Sequence, residues 1–250
     1  MQSLREVLEA NEGEIAAIIM EACRTELPAP GFLESVRELA TEHGAVLIFD
    51  EVITGFRLAM GGAQEYFRVT PDLATFGKAM SNGHPMSAVC GKREIMADAA
   101  SMFISSTYYS DAPGMAAAVA TITELERIDA LAHIWAMGEM LCDGFDDLAR
   151  EHGVAARCDG LPPVTHLHFD CPDELRKPVT TLYLQEMYRR GILACTVNYI
   201  CYEHSPDDIA QFLAAADDAL ALVGWALAEG EPAKYLEAGE RGDDLGRMVR

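Results

Sequence analysis

Three groups of side chains in the first half of the chain carry the chemistry that this sequence could perform. An acidic pair, Asp50-Glu51, ends one apolar run, a lysine, Lys78, ends a second, and a hydroxyl pair, Ser106-Thr107, follows a third. An amine, a carboxylate and hydroxyl donors are what a protein supplies to hold pyridoxal 5'-phosphate (PLP), which needs a covalent anchor, a partner for its pyridine nitrogen and donors for its phosphate. The sequence therefore predicts a PLP site in this stretch.

Each group has a distinct predicted role. Lys78 follows an apolar strand, where partial desolvation would free its amine to act as nucleophile and proton carrier. Asp50 would keep the pyridine nitrogen protonated, and Val52, on the same side of an extended chain, would pack on the ring. Thr107 would donate to the phosphate. Taken singly, a solvated lysine, a helix cap and a turn hydroxyl explain the same residues, so the prediction rests on their combination.

The spacing of apolar residues predicts the elements that must position these groups. Short apolar runs alternate with a helical repeat, which is typical of a βαβ unit and a parallel sheet. In such sheets ligands bind beyond the carboxyl ends of the strands, and Asp50, Lys78 and Thr107 all follow predicted strands. The expected elements are strands at Ile15–Met20, Ala45–Phe49, Leu73–Phe76, Met86–Cys90 and Met102–Ser105, with a helix at Phe32–His43.

The fold class that this pattern predicts is α/β, with two domains and a tail. Residues 1–150 are expected to form a large domain that ends in a long helical region, interrupted near Asp129. Residues 151–228 are expected to form a small α/β domain, and residues 229–250 a loosely held polar tail. The small domain's expected elements are strands at Val164–Phe169, Ile192–Val197 and Tyr199–Tyr202 and helices at Thr180–Arg190 and Pro206–Leu227, the second opened by Ser205.

Charge and composition argue against several classes of function. With 19 basic against 40 acidic residues the net charge is −21, so the chain offers no basic face for nucleic acid. No uncharged apolar run reaches the roughly 20 residues that cross a bilayer, and no signal-peptide pattern is visible. Seven scattered cysteines without a CxxC spacing are typical of reduced thiols. We therefore expect a cytoplasmic protein with no nucleic-acid partner and no membrane partner.

A histidine-rich strand offers a weaker candidate, a metal site. His166 and His168 fall on one face of a predicted strand, close to Asp170 and Cys171. Because no further ligand pair follows at metal spacing, the sequence predicts no metal.

Several phrases of the sequence resemble the class III (ω-type) aminotransferases, in the branch that contains glutamate-1-semialdehyde 2,1-aminomutase. They are AAIIME, LIFDEVITGFR, PDLATFGKAMSNGHP, SSTYYSDAP and TLYLQEMYRRGIL, in matching order and spacing. The resemblance implies that Lys78 is the Schiff-base lysine and that Asp50 is its pyridine partner. It further implies that Val52 packs on the ring and that Thr107 is a phosphate ligand contributed across a dimer interface. The implied fold is part of a fold type I PLP transferase, with residues 1–150 as the C-terminal part of its large domain.

The sequence also departs from that family. Family members carry a long N-terminal part ahead of the position of Ile15, which supplies a glycine-rich phosphate loop, an aromatic residue that stacks on the ring and much of the substrate pocket. We therefore expect a split enzyme, in which a second polypeptide carries the N-terminal half and the assembly is a homo- or hetero-oligomer. Its reaction on a small amine or amino acid would be amino-group transfer or a 1,2-amino shift. The alternative is a degenerate, non-catalytic subunit that acts in an assembly.

Overall fold

The chain divides into two compact units, Met1–Ala132 and His133–Arg250. The computed structural model describes residues 1–24, 27–99, 101–105, 107 and 109–240. The boundary falls earlier than the expected one at residue 150, because Phe145 and Ala149 are buried in the core of the second unit.

The first unit is built on a four-stranded sheet in the order β1-β2-β3-β4. Its strands β1, β2 and β3 are parallel, as predicted, whereas β4 runs antiparallel to β3. The predicted strand Met102–Ser105 is wrong, because these residues form no strand and their side chains are exposed. The elements are strands β1 Ala17–Met20, β2 Val46–Asp50, β3 Leu73–Phe76 and β4 Ala88–Gly91, and helices α1 Gln2–Ala10, α2 Phe32–Glu42, α3 Ala63–Tyr66, α4 Arg93–Ala99 and α5 Ala112–Arg127.

Helix α2 forms where its apolar repeat predicts it. Leu33, Val36, Leu39 and Ala40 are all buried on one face, at the three- and four-residue spacing of a helix. Gly44 follows the helix with a φ of +66°, which glycine adopts without strain. Helix and turn together return the chain to the sheet beside β1, so β2 pairs with β1 in parallel.

A buried carboxylate, Asp72, joins the elements of this unit. Its Oδ2 accepts hydrogen bonds from Arg37 Nη1 of α2 at 2.8 Å and from the Leu47 N–H of β2 at 2.7 Å. Lys92 Nζ, just after β4, lies 2.6 Å from its Oδ1. Burial of Asp72 opposes its ionisation, but the bonds from Lys92, Leu47 and Arg37 outweigh it and lower the pKa of Asp72 to about 2. The ionised carboxylate therefore stabilises the folded first unit.

The second unit packs helices against a three-stranded antiparallel sheet in the order β5-β6-β7. Phe145, Phe169 and Tyr183 are buried at its centre with their rings in contact. The predicted strands Ile192–Val197 and Tyr199–Tyr202 are replaced by one short strand. The elements are helices α6 Ala130–Glu151, α7 Asp173–Arg189 and α8 Pro206–Glu229, and strands β5 Ala156–Leu161, β6 Val164–Phe169 and β7 Val197–Tyr199.

Helix α8 begins and ends with local signals that the sequence shows. Ser205 Oγ accepts from the Asp208 N–H at 3.2 Å, and Asp208 Oδ2 accepts from the Ser205 N–H at 2.8 Å, so the predicted N-cap is confirmed as a capping box. By length and composition α8 is apolar enough to cross a membrane. Its buried side chains, such as Leu220 and Val223, pack in the core of the second unit, which is the pattern of a core helix.

Part of the predicted tail is held more firmly than the sequence suggests. Tyr235 donates its hydroxyl to Glu229 at 2.6 Å, and its carbonyl accepts from Gln185 at 3.1 Å. The Glu237 N–H donates to Gln185 Oε1 at 2.8 Å. Tyr235 and Glu237 are therefore bonded to α7 and α8, and residues 241–250 lie outside the described part of the chain.

Asp72→Asn should lower the free energy of unfolding by about 2 kcal/mol at neutral pH, since a pKa held near 2 instead of about 4 is worth that much. A lowered folded-state pKa stabilises the protein above the unfolded pKa. The gap between wild type and variant should therefore narrow as the pH falls from about 4 toward 2. Urea titration followed by circular dichroism measures the free energy of unfolding at each pH. The matched control is Asp98→Asn, an exposed position on α4. An equal loss of stability in both variants would show that the bonds to Asp72 do not stabilise the first unit.

Candidate cofactor site

Asp50 lies at the carboxyl end of β2 and directs one oxygen back into the protein. Its Oδ1 accepts the Val52 N–H at 3.0 Å and the Thr75 hydroxyl at 3.3 Å. Thr75 is the residue that pairs with Asp50 across the parallel β2–β3 register. Within the described part of the chain, no hydrogen bond reaches Asp50 Oδ2. This half-buried carboxylate is thus oriented through one oxygen, while the other can accept a proton from a ligand.

Val52 and Gly77 bring the ends of the two strands together. A Cβ placed on Gly77 would lie 3.6 Å from Val52 Cγ1, so the valine side chain lies against the glycine that directly precedes Lys78. Val52 is half-buried and Gly77 is buried. The structure therefore brings together three of the predicted site residues, Asp50, Val52 and Lys78, at one edge of the sheet.

Lys78 begins a 3-10 turn, Lys78–Ser81, with a φ of +45°. This left-handed conformation costs a residue with a side chain about 1–2 kcal/mol. Met80 holds the turn in place, since it is 4% exposed and packs with Phe76 of β3 and Ala118 of α5. The Lys78 side chain itself is exposed, so the described residues do not supply the desolvation expected for its amine.

Glu51, the second member of the acidic pair, has a structural role that sequence reasoning missed. It is 1% exposed and accepts hydrogen bonds from the Ala63 and Gln64 N–H groups, each at 2.8 Å, and from the Thr54 hydroxyl. A Cβ on Gly62, whose φ is +82°, would lie 2.4 Å from Glu51 Oε2, so that position admits only glycine. The carboxylate therefore fixes the loop that follows Asp50.

Thr107 is not brought to this edge of the sheet by any contact among the described residues. Its side chain is exposed. Ser106, its partner in the predicted hydroxyl pair, lies outside the described residues. The predicted phosphate role of Thr107 stays a prediction.

A cavity of about 330 Å³ opens beside the carboxyl end of β1, with a lining that includes Met20, Glu21, Cys23 and Phe32 but not Lys78. Burial, with a smaller effect of the Glu21 charge, raises the pKa of Cys23 to about 11. A thiol held protonated in this way is a poor nucleophile, so we assign the cavity no chemistry.

The family model described as aminotransferase class-III matches residues 1–197. The chain belongs to this family. A 3-aminobutyryl-CoA aminotransferase of Cloacimonas acidaminovorans is 38% identical over 233 residues, which are 89% of this chain and 56% of that protein. A glutamate-1-semialdehyde 2,1-aminomutase of Roseiflexus castenholzii is 36% identical over 241 residues, 88% of this chain and 55% of that protein.

Solved structures of aminotransferases and related proteins share the fold. The FumI protein of Sphingopyxis sp. MTA144, in its PLP internal aldimine form, superposes with a TM-score of 0.84 at 26% identity, and the match covers 91% of this chain and 56% of that one. A β-phenylalanine aminotransferase from Variovorax paradoxus gives a TM-score of 0.80 at 27% identity, with 91% and 56% covered. The predicted PLP-transferase fold is thus confirmed, and the chain spans about half the length of the relatives that it matches.

The FumI structure holds pyridoxal phosphate as an internal aldimine, and this is the cofactor that the sequence predicts for the present chain. The donor set at the sheet edge fits it. Asp50 presents an unshared carboxylate oxygen suited to a pyridine N–H, Val52 offers an apolar side chain beside it, and Lys78 has an accessible amine. These are the anchor, the ring partner and the packing group that the sequence predicts.

Gly62→Ala should lower the free energy of unfolding by about 3 kcal/mol, because the new methyl group meets the Glu51 carboxylate in addition to the strain of a positive φ. Gly83→Ala is the matched control, since Gly83 has a φ of +91° but no atom within 4 Å of the place that the new methyl group would take. It should cost only about 1 kcal/mol. Equal losses in urea titrations of the two variants would show that Glu51 does not constrain the loop.

Proposed function

We propose that this chain is the lysine-bearing part of a PLP-dependent aminotransferase or aminomutase, completed by a second polypeptide. The observation that carries the proposal is the placement of Asp50 and Lys78 at the carboxyl ends of adjacent parallel strands, each with a ligand-accessible polar atom. Membership of the class-III family supports the reaction class.

Asp50 would hold the pyridine ring through Oδ2, while the bonds from Val52 and Thr75 to Oδ1 keep the carboxylate oriented. A carboxylate in this position favours the protonated ring nitrogen by direct charge attraction. Bound here, pyridoxal phosphate supplies the electron sink that stabilises a carbanion at the substrate carbon. The Val52 side chain would lie on the ring face and limit its tilt.

Lys78 would hold the cofactor covalently through Nζ. When free, the Lys78 amine would act as the base that takes a proton from the substrate carbon and later returns one. Its turn is fixed by the buried Met80, so Nζ starts from a defined backbone position. The substrate class that this chemistry accepts is a small amine or amino acid.

Exposed apolar side chains support the proposal of a partner chain. Ile19 on the edge strand β1 is 67% exposed, Val89 on the opposite edge strand β4 is 54% exposed, and Phe103 is 97% exposed. Edge strands with exposed apolar residues are favoured sites for association. We propose that the second polypeptide covers these surfaces in a homo- or hetero-oligomer and that Thr107 serves as a phosphate ligand across an interface.

We also propose a cytoplasmic location. The cysteines of the described chain form no disulfide, which is typical of proteins kept in a reducing compartment.

Borohydride treatment of the protein, purified with its native partners and saturated with PLP, should fix the cofactor on Lys78. Trypsin does not cut after a modified lysine, so the expected adduct is the peptide of residues 69–92. Lys78→Ala should lose both the yellow absorbance band and this adduct, while Lys234→Ala, a lysine of the second unit, should keep them.

The outcome of that mapping separates the proposal from its alternative. An adduct on another lysine would refute the assignment of Lys78. No adduct on any lysine, with the assembly intact, would identify the chain as the non-catalytic subunit.

Asp50→Asn should lower the rate at which an amino donor converts the bound cofactor to its amine form by about 100-fold, because the ring nitrogen loses its charged partner. Asparagine can still accept the bonds from Val52 and Thr75, so folding should be preserved. The rate is read from the absorbance change with a panel of amino donors, with Asp98→Asn as the control. An unchanged rate in Asp50→Asn would remove this residue from the site.

A further inference from the structure

Two cysteines of the second unit are in direct contact. Cys142 lies on α6 and Cys158 on β5, and their Sγ atoms are 3.0 Å apart. Both side chains are half-buried and both residues are thiols. A disulfide requires the sulfurs to be about 2.05 Å apart, so closure asks for a displacement of only about 1 Å.

The surrounding structure holds the two sulfurs together. Asp146, one helical turn after Cys142, accepts the Cys158 N–H at 2.7 Å and so joins α6 to β5 next to the pair. Phe145 is fully buried on the same helix, and Cys158 pairs with Leu167 in the β5–β6 ladder. The thiols therefore project from two elements whose positions are fixed by the core and the sheet.

We propose that Cys142 and Cys158 form a reversible oxidation site, which a two-electron oxidant of the peroxide class closes into an intramolecular disulfide. In its oxidised form the site is a covalent cross-link between α6 and β5. It is separate from PLP chemistry and stands whether or not the chain is catalytic.

The first step is attack by one sulfur of the pair on the oxidant. A thiol loses its proton, its sulfur attacks one peroxide oxygen, the O–O bond breaks, and the hydroxide that leaves takes up the released proton as water. The hydrogen bond with Cys158 and burial of the sulfur, together with nearby acidic charge, raise the pKa of Cys142 well above that of an ordinary thiol.

The second step closes the bond. The second thiol gives up its proton as its sulfur attacks the sulfenic acid on the first, the S–O bond breaks, and the departing hydroxide leaves as a second water. Two thiols lose two electrons and one hydrogen peroxide becomes two waters. A small dithiol reverses the reaction. The high pKa of Cys142 makes formation slow compared with that of a low-pKa thiol pair.

The test is non-reducing peptide mapping of the full chain with its native partners, after reduction, treatment with hydrogen peroxide and blocking with a maleimide. Trypsin releases Cys142 in residues 128–150 and Cys158 in residues 158–176, a peptide that also contains Cys171. A Cys171→Ser background therefore makes the link unambiguous. The expected product is the two peptides joined, with the link lost on adding dithiothreitol.

Two single variants test the need for both sulfurs. Cys142→Ser and Cys158→Ser should each abolish the link and leave the remaining sulfur as a sulfenic acid that dimedone traps. Cys195→Ser, which removes an exposed thiol, should not change the link. The oxidised protein should melt a few degrees higher than the reduced one, since the bond closes a loop between α6 and β5.

Two results would overturn the proposal. One is oxidation of Cys195 without any link between Cys142 and Cys158, which would show that peroxide reached the protein and the pair did not respond. The other is Cys158 joined to Cys195 or Cys201 in place of Cys142, which would show that the two sulfurs in contact are not the pair that oxidises.

Discussion

The buried carboxylate of Glu51 is the interaction on which the candidate site depends. It accepts hydrogen bonds from two backbone N–H groups of α3 and from the Thr54 hydroxyl, in a place where water has no access. An unmatched buried carboxylate would cost several kcal/mol, so the loop between β2 and α3 must close around it. Because Asp50 is the preceding residue, this closure also fixes the backbone from which the proposed pyridine partner projects.

The adjacent carboxylates of Asp50 and Glu51 therefore have different roles, which are set by the number of hydrogen bonds that each one accepts. The protein saturates Glu51, whereas it gives Asp50 two donors on one oxygen only. The parallel β2–β3 register then decides what lies beside Asp50, because Thr75 pairs with it and the chain reaches Lys78 just after β3 ends. Asp72, bonded to α2, β2 and the residue after β4, holds that register from the other end of the strands.

Local patterns were enough to predict α2, β2, β3 and the N-cap at Ser205, because those signals lie within a few residues of each other. The role of Glu51 was not predictable, since its partners Ala63 and Gln64 begin α3, at the end of a loop whose path depends on the carboxylate itself. The apolar runs at Met102–Ser105 and Ile192–Val197 were wrongly predicted as strands. A strand needs a neighbour to pair with, and Phe103 and Leu193 are 97% and 91% exposed instead. The antiparallel direction of β4 was not predictable either, because it depends on how β4 pairs with β3 and not on the residues of β4 alone.

The conformation of Lys78 does not depend on a partner chain. Its left-handed backbone costs about 1–2 kcal/mol, and burial of Met80 within the same turn contributes about 1.5–3 kcal/mol, enough to offset it. The lysine turn is thus set by the contacts of the first unit alone, while the lysine side chain and Thr107 remain exposed. What the proposed second polypeptide would supply is enclosure, because it would exclude water from the Lys78 amine and cover exposed apolar side chains such as Phe103. A partner in this role would tune the reactivity of a residue whose backbone is already in place.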